Sequence, residues 1–122
     1  MMAQKALLFN DNEIFHKIMS SKSPKEYKEL GRKIKNFSDS KWNENKYQIV
    51  LKGNIAKFSQ NEKLKAFLLN TGTKILVEAS PYDKIWGIGL SADQENIENP
   101  LTWNGENLLG FALMEVRDSL NQ

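Results

Sequence analysis

The 122 residues predict a mainly α, compact multi-helix domain with a small β element. Apolar residues recur at helical spacing in several segments, and capping residues stand where those segments begin. Against this helical background a short β-branched run, Lys74–Glu78 (KILVE), has the composition of a strand.

Taken in order, Met1 to about Asn10 carries Ala3, Ala6, Leu7 and Phe9 as a first helix. Asp11 can cap a second, whose stripe is Ile14, Phe15, Ile18 and Met19. Ser23-Pro24-Lys25-Glu26 is a capping box with proline at the first helical position, and Gly31 supplies the stop. Ser38 or Asp39 can cap a longer helix bearing Trp42, Ile49, Val50 and Phe58, with Gly53 a local weakness of about 1 kcal/mol relative to alanine. Asn61 opens a helix with Leu64, Phe67 and Leu68, and Asn70-Thr71-Gly72 closes it. Lys74–Glu78 follows as the strand.

Gly87 and Gly89 alternate with Ile88 and Leu90, which suggests a second short strand with one apolar face and one bare face, where a ligand or another backbone can come close. Ser91–Pro100 has no apolar period and reads as a solvated loop. Asn104-Gly105 turns the chain into a last helix, where Leu108, Ala112, Val116 and Leu120 align with Leu109 and Leu113 beside them. Gly110, inside that helix, is expected to admit a closely packed neighbouring helix.

Composition bounds the chemistry. With 40% hydrophobic and 26% charged residues, the chain is long enough for one domain over 1–122. It contains no run of ~20 apolar residues and no leader pattern, so no membrane association and a cytoplasmic location are expected. There is no cysteine, hence no disulfide and no thiolate chemistry. The single histidine, His16, sits on an amphipathic helix, which leaves no zinc site with the usual ligands, and no cofactor is expected for the glycosidase chemistry considered below. Carboxylates, lysines and aromatic rings remain, a repertoire suited to cleaving a glycosidic bond.

A net charge of +2 is too small for a general nucleic-acid binder. Of 17 basic residues only Arg32 and Arg117 are arginine, whose planar fork matches phosphate or carboxylate. Arg32, at a helix end, is the phosphate candidate, and Arg117 a structural ion-pair partner. Asp83 and Trp86 flank Lys84-Ile85, so that Trp86 offers a stacking face and Asp83 a carboxylate. Read alone, the motif favours Trp86 as a core anchor and the glycines as a tight turn. Asn107, at the start of the last helix, stands where free backbone amides attract anions.

Many motifs occur in one order: Met2–Ala6 (MAQKA), Ser23–Glu26, Gly31-Arg32, Trp42, Ala56–Gln60 (AKFSQ), Leu68–Gly72 (LLNTG), Leu76–Ser80 (LVEAS), Asp83 with Trp86–Gly89 (WGIG), Asn107–Gly110 (NLLG) and Met114–Arg117 (MEVR). Together they resemble the NADAR superfamily, which includes the YbiA-like N-glycosidases, over essentially the whole chain. The resemblance implies a hydrolase acting on a ribosyl–base bond. One class of substrate is the phosphorylated intermediates of riboflavin biosynthesis, giving ribose 5-phosphate and a pyrimidine, and another is an ADP-ribosylated base. Nucleic acid then enters only as an ADP-ribosylated substrate.

By the same resemblance Asp83, Trp42 and Lys5 match positions implicated in catalysis, with Lys5 near the sugar C1. Lys57 matches a phosphate contact, while Arg32, Trp86, Gly87 and Asn107, read from their own chemistry above, complete the substrate-binding set. The family places a β-rich segment ending in a catalytic glutamate before the first helix, and that glutamate does not occur in these 122 residues. Two expectations stand beside the enzyme: a non-catalytic ADP-ribose or nucleotide-binding module, and a chain that gains the segment from a partner. Met1, Leu7, Leu8 and Phe9 are then expected to be uncovered, driving a homo-oligomer.

Overall fold

The computed structural model describes residues 1–121, in which six α-helices are joined by irregular segments and one 3-10 turn. The backbone divides into two units, Met1–Val50 and the residues from Leu51 onward.

The first unit is built by side-chain stripes. Helices α1 (Met2–Leu8), α2 (Asn12–Ser20) and α3 (Pro24–Gly31) pack on one another around Ala6, Phe9, Ile14, Ile18 and Ile34, with Met2, Leu8, Phe15, Tyr27 and Leu30 closing the cluster. The entries of α2 and α3 are capped by the residues the sequence predicts, Asp11 and Ser23, while α1 has no side-chain cap. Asp11 Oδ1 accepts from the Ile14 amide at 3.1 Å, and its Oδ2 accepts from the Lys35 amide at 2.8 Å, so one carboxylate starts α2 and fixes the chain beyond α3. These two backbone amides, Lys35 first, hold the Asp11 carboxyl below the usual aspartate range. Ser23 Oγ accepts from the Glu26 amide, while Glu26 reaches back to Ser21 Oγ and the Lys22 amide rather than to Ser23. Phe9 is buried, contrary to the expectation that it is uncovered, whereas Met1 and Leu7 are exposed. Met19, assigned to the stripe of α2, is 65% exposed.

Helix α4 (Asp39–Gln60) starts where Ser38 Oγ accepts from the Lys41 amide at 3.4 Å. It runs from the first unit into the second.

The second unit holds α5 (Glu62–Leu69), capped by Asn61, and α6 (Leu108–Leu120), which buries Gly110, Ala112, Val116 and Arg117. Between them lies a long irregular stretch, and the small β element is not present: no strand occurs among the described residues. The physical reason is Asn107. Its Nδ2 donates to the Leu76 carbonyl at 3.0 Å and its Oδ1 accepts from the Glu78 amide at 3.0 Å, so a side-chain amide takes the place a neighbouring strand would fill along Lys74–Glu78. The second expected strand is likewise a set of isolated bonds. The Ile88 amide donates to the Glu78 carbonyl, the Asn104 amide to the Ile88 carbonyl and the Asn107 amide to the Gly87 carbonyl.

Close backbone approach explains the glycines here. A Cβ on Gly105 would overlap the Gly87 carbonyl oxygen, and one on Gly110 would overlap the Leu76 carbonyl oxygen and the Asn107 amide. Gly110 therefore admits an irregular backbone segment, not the neighbouring helix expected. Residues 89–103 form an excursion closed at its base by the Asn104-to-Ile88 hydrogen bond of 2.8 Å. Within it bonds are local, among them Trp103 Nε1 to the Ile97 carbonyl at 2.8 Å, and the 3-10 turn Pro100–Thr102 interrupts what was read as loop.

Arg117, 7% exposed, donates through Nη1 to Thr71 Oγ1 and the Lys74 carbonyl, both at 2.8 Å. It is structural as expected, but its acceptors are neutral and no ion pair forms among the described residues. No helix among those residues is long and apolar enough to cross a membrane.

Candidate functional site

The predicted residues fall in both units: Lys5, Arg32 and Trp42 in the first, and Lys57, Asp83, Trp86, Gly87 and Asn107 in the second.

In the first unit Lys5 and Trp42 are brought together. Lys5 points from α1 so that Nζ stands 5.4 Å from the Trp42 ring centre and 4.8 Å from that of Phe37, while donating to the Gly31 carbonyl at 3.2 Å. Two π-faces and one carbonyl oxygen favour the cation, yet removal from water outweighs them and lowers the amine below the usual lysine range. The result is a half-buried amine between aromatic faces, able to act as a cation beside an electron-rich atom or, once deprotonated, as a nucleophile. Phe37 is the residue that sequence reasoning missed. Its one signal was an apolar side chain directly before the cap Ser38, a place where such residues often fold back on the helix. Arg32, the residue after the Lys5 acceptor, is exposed, and its guanidinium pairs with nothing among the described residues.

In the second unit Asp83 and Trp86 share one turn. Asp83 Oδ1 accepts from the Trp86 amide at 2.8 Å and the Ile85 amide at 3.1 Å, and the Asp83 amide donates to Ser80 Oγ. This is the self-bonding turn that aspartate favours, and it holds the carboxylate in one orientation. Oδ2 has no donor among the described residues. The Trp86 side chain is half-buried. Gly87 is buried, and the space of its missing side chain is taken by the carbonyl oxygens of Asp83 and Glu78, 2.9 Å or less from where a Cβ would stand. Of the two visitors its bareness allows, backbone is the one present.

Asn107 is fully buried in a left-handed conformation, φ 53°, with its side chain committed to Leu76 and Glu78. Lys57 is exposed near the end of α4, its Nζ 5.8 Å from the adjacent Phe58 ring.

A groove of about 480 Å³ on α2 and α3, lined by His16, Lys17, Glu26, Glu29 and Lys33, contains none of the predicted residues. No group of three or more His, Asp or Glu side chains able to hold a metal ion occurs among the described residues.

Comparison with known proteins shows the family of the chain. The model of the NADAR domain matches residues 1–121. An N-glycosidase of Acanthamoeba polyphaga mimivirus is 50% identical over 122 residues, all of this chain and 72% of that protein. The N-glycosidase YbiA of Escherichia coli strain K12 is 32% identical over 112 residues, 92% of this chain and 63% of YbiA. The chloroplastic riboflavin biosynthesis protein PYRR of Zea mays is 32% identical over 112 residues, which are 88% of this chain and 16% of PYRR. The chain thus spans between a sixth and three quarters of these relatives. With the domain running through all but one residue, this chain belongs to the NADAR family, among relatives that include YbiA.

Proposed function

We propose that this chain is an N-glycosidase unit that hydrolyses a ribosyl–base bond. The carrying observation is Lys5, a half-buried amine held between Trp42 and Phe37 with its pKa lowered by desolvation. Family membership and the names of the relatives support the reaction class. In this reaction the C1–N bond breaks and its electron pair leaves with the base. The sugar passes through an oxocarbenium-like state, water oxygen bonds to C1, and the water proton ends on the base. Trp42 is assigned to stacking and Lys5 to the sugar C1. Asp83, through Oδ2, is assigned the carboxylate that stabilises the cation or accepts the proton. Arg32 and Lys57 are assigned to phosphate and Trp86 to the substrate-binding set, whereas Gly87 and Asn107, expected in that set, are taken up by backbone contacts and hold the turn and the start of α6.

The substrate class we favour is a phosphorylated ribosylaminopyrimidine, in keeping with the name of the maize relative. The test is release of ribose 5-phosphate from that compound, run beside release of ADP-ribose from an ADP-ribosylated base. Lys5→Gln and Asp83→Asn should each lower turnover at least a hundredfold, the scale of a lost charge-stabilising or acid–base group. Turnover of the ADP-ribosylated base alone would assign the activity to ADP-ribosyl removal. Absence of both turnover and binding in folded wild-type protein would overturn the proposal.

A second reading, a binding module without catalysis, is favoured by one observation. Asp83 Oδ1 is consumed by its own turn, as it would be in a structural aspartate. Binding of ribose 5-phosphate or ADP-ribose without turnover would select it.

A further inference from the structure

Along Lys74–Glu78 the engaged backbone groups all belong to even positions, where only the Leu76 amide has no bond among the described residues. The Lys74 carbonyl accepts from Arg117, the Leu76 carbonyl and Glu78 amide meet Asn107, and the Glu78 carbonyl accepts from Ile88. The amides and carbonyls of Ile75 and Val77 bond to nothing among the described residues. In an extended chain these odd positions face the opposite edge. Ile75 is 65% exposed and Val77 40% exposed. The segment therefore presents an unpaired backbone edge with apolar side chains, a feature that invites pairing with an extended chain.

We propose that this edge pairs with the same edge of a second copy of the chain, antiparallel and centred on Leu76. The sequence Lys74-Ile75-Leu76-Val77-Glu78 is self-complementary in that register. Lys74 stands opposite Glu78 of the second copy at both ends, Ile75 stands opposite Val77, and Leu76 meets Leu76 on the two-fold axis. The hydrogen bonds fall on the free groups, because Ile75 and Val77 form the bonded pairs and Leu76 a non-bonded one. Opposite charges directly across a ladder stabilise it and like charges oppose it. Any other register separates Lys74 from Glu78 and breaks the match. Both charged side chains are exposed and make no ion pair among the described residues, which leaves them available. This surface is independent of the glycosidase reading.

Charge reversal tests the proposal on the full chain. In sedimentation velocity over a concentration series up to high micromolar, wild type should dimerise, and Lys74→Glu or Glu78→Lys should each weaken the dimer roughly tenfold or more by creating two like-charge pairs. Mixing the two variants should restore it, since the mixed pair is again complementary. Because the chain has no cysteine, Leu76→Cys gives a second readout. Cysteines meeting on the two-fold axis at a non-bonded position should cross-link on oxidation, whereas Phe67→Cys, at a position more exposed to oxidant than the half-buried Leu76, should not. Circular dichroism checks that each variant folds. A monomeric wild type, variants that associate like wild type, a mixture that fails to recover, or cross-linking at position 76 no faster than at 67 would each overturn the proposal.

Discussion

The first fifty residues and the stretch from Asn70 to Asn107 fold by different physics. In the former, apolar side chains at helical spacing choose the packing, and caps such as Asp11 and Ser23 trim the ends. In the latter, backbone groups with no helix or strand to satisfy them are gathered one by one, and a single buried amide, Asn107, answers two of them while starting α6. A stripe distributes stability over many residues, each replaceable at moderate cost. A polar hub concentrates it, because removing the hub leaves buried donors and acceptors unmatched.

That contrast can be broken most directly at the hub. Asn107→Ala should destabilise by about 3–5 kcal/mol in urea unfolding, from two unsatisfied backbone groups and a left-handed backbone that alanine tolerates poorly. Asn107→Gly relieves the backbone and should recover about 1 kcal/mol of the loss. If Asn107→Ala were nearly neutral, the hub would not be a hub. In the stripe, Ile18→Ala should cost about 2–4 kcal/mol by leaving a cavity against Ala6 and Ile14, measured in the same way. A loss equal to that at Asn107 would blur the distinction.

Asp11 lies between the two cases, being a polar group inside the stripe-built unit. Its carboxyl is held below the ordinary range by the Lys35 and Ile14 amides, so its contribution is fully present above the unfolded aspartate pKa. That contribution is lost as pH falls through the lower folded value, in a window below about pH 4. Asp11→Asn should lower the melting midpoint by a few degrees at neutral pH, and the difference from wild type should shrink on acidification. A constant gap across that window would refute the linkage. The smallest effect is expected at Met19, which lies on the helix but outside the packed cluster. Met19→Gln should change stability by less than about 0.5 kcal/mol.

What the sequence made legible follows the same division. Periodicity locates all six helices among the described residues, and caps mark the starts of α2, α3, α4 and α5, because both are local properties of the chain. Lys74–Glu78 has strand composition, but its partner is a side chain 29 residues away or more, and no local pattern announces an amide standing in for a strand. Asn107 drew attention as an anion contact because helix starts are electropositive, and the structure uses that amide within the fold. Lys5 and Trp42 were named through resemblance and are neighbours in space. Phe37, which completes their surroundings, lies in a connection where no period marks an aromatic ring as part of anything. Gly105 went unnoticed as a packing residue, since its demand comes from a carbonyl oxygen 18 positions earlier.

The closed base of the 89–103 excursion has a consequence for change over evolutionary time and at the bench. Because the Asn104-to-Ile88 bond ties its ends and its remaining bonds are local, adding residues near Asp93 or Glu95 lengthens a loop whose feet stay fixed. Doubling such a loop costs only about 0.6 kcal/mol. This is the place where a lineage could graft a new recognition element, or an experimenter an epitope tag, and the graft would inherit an anchor already in place.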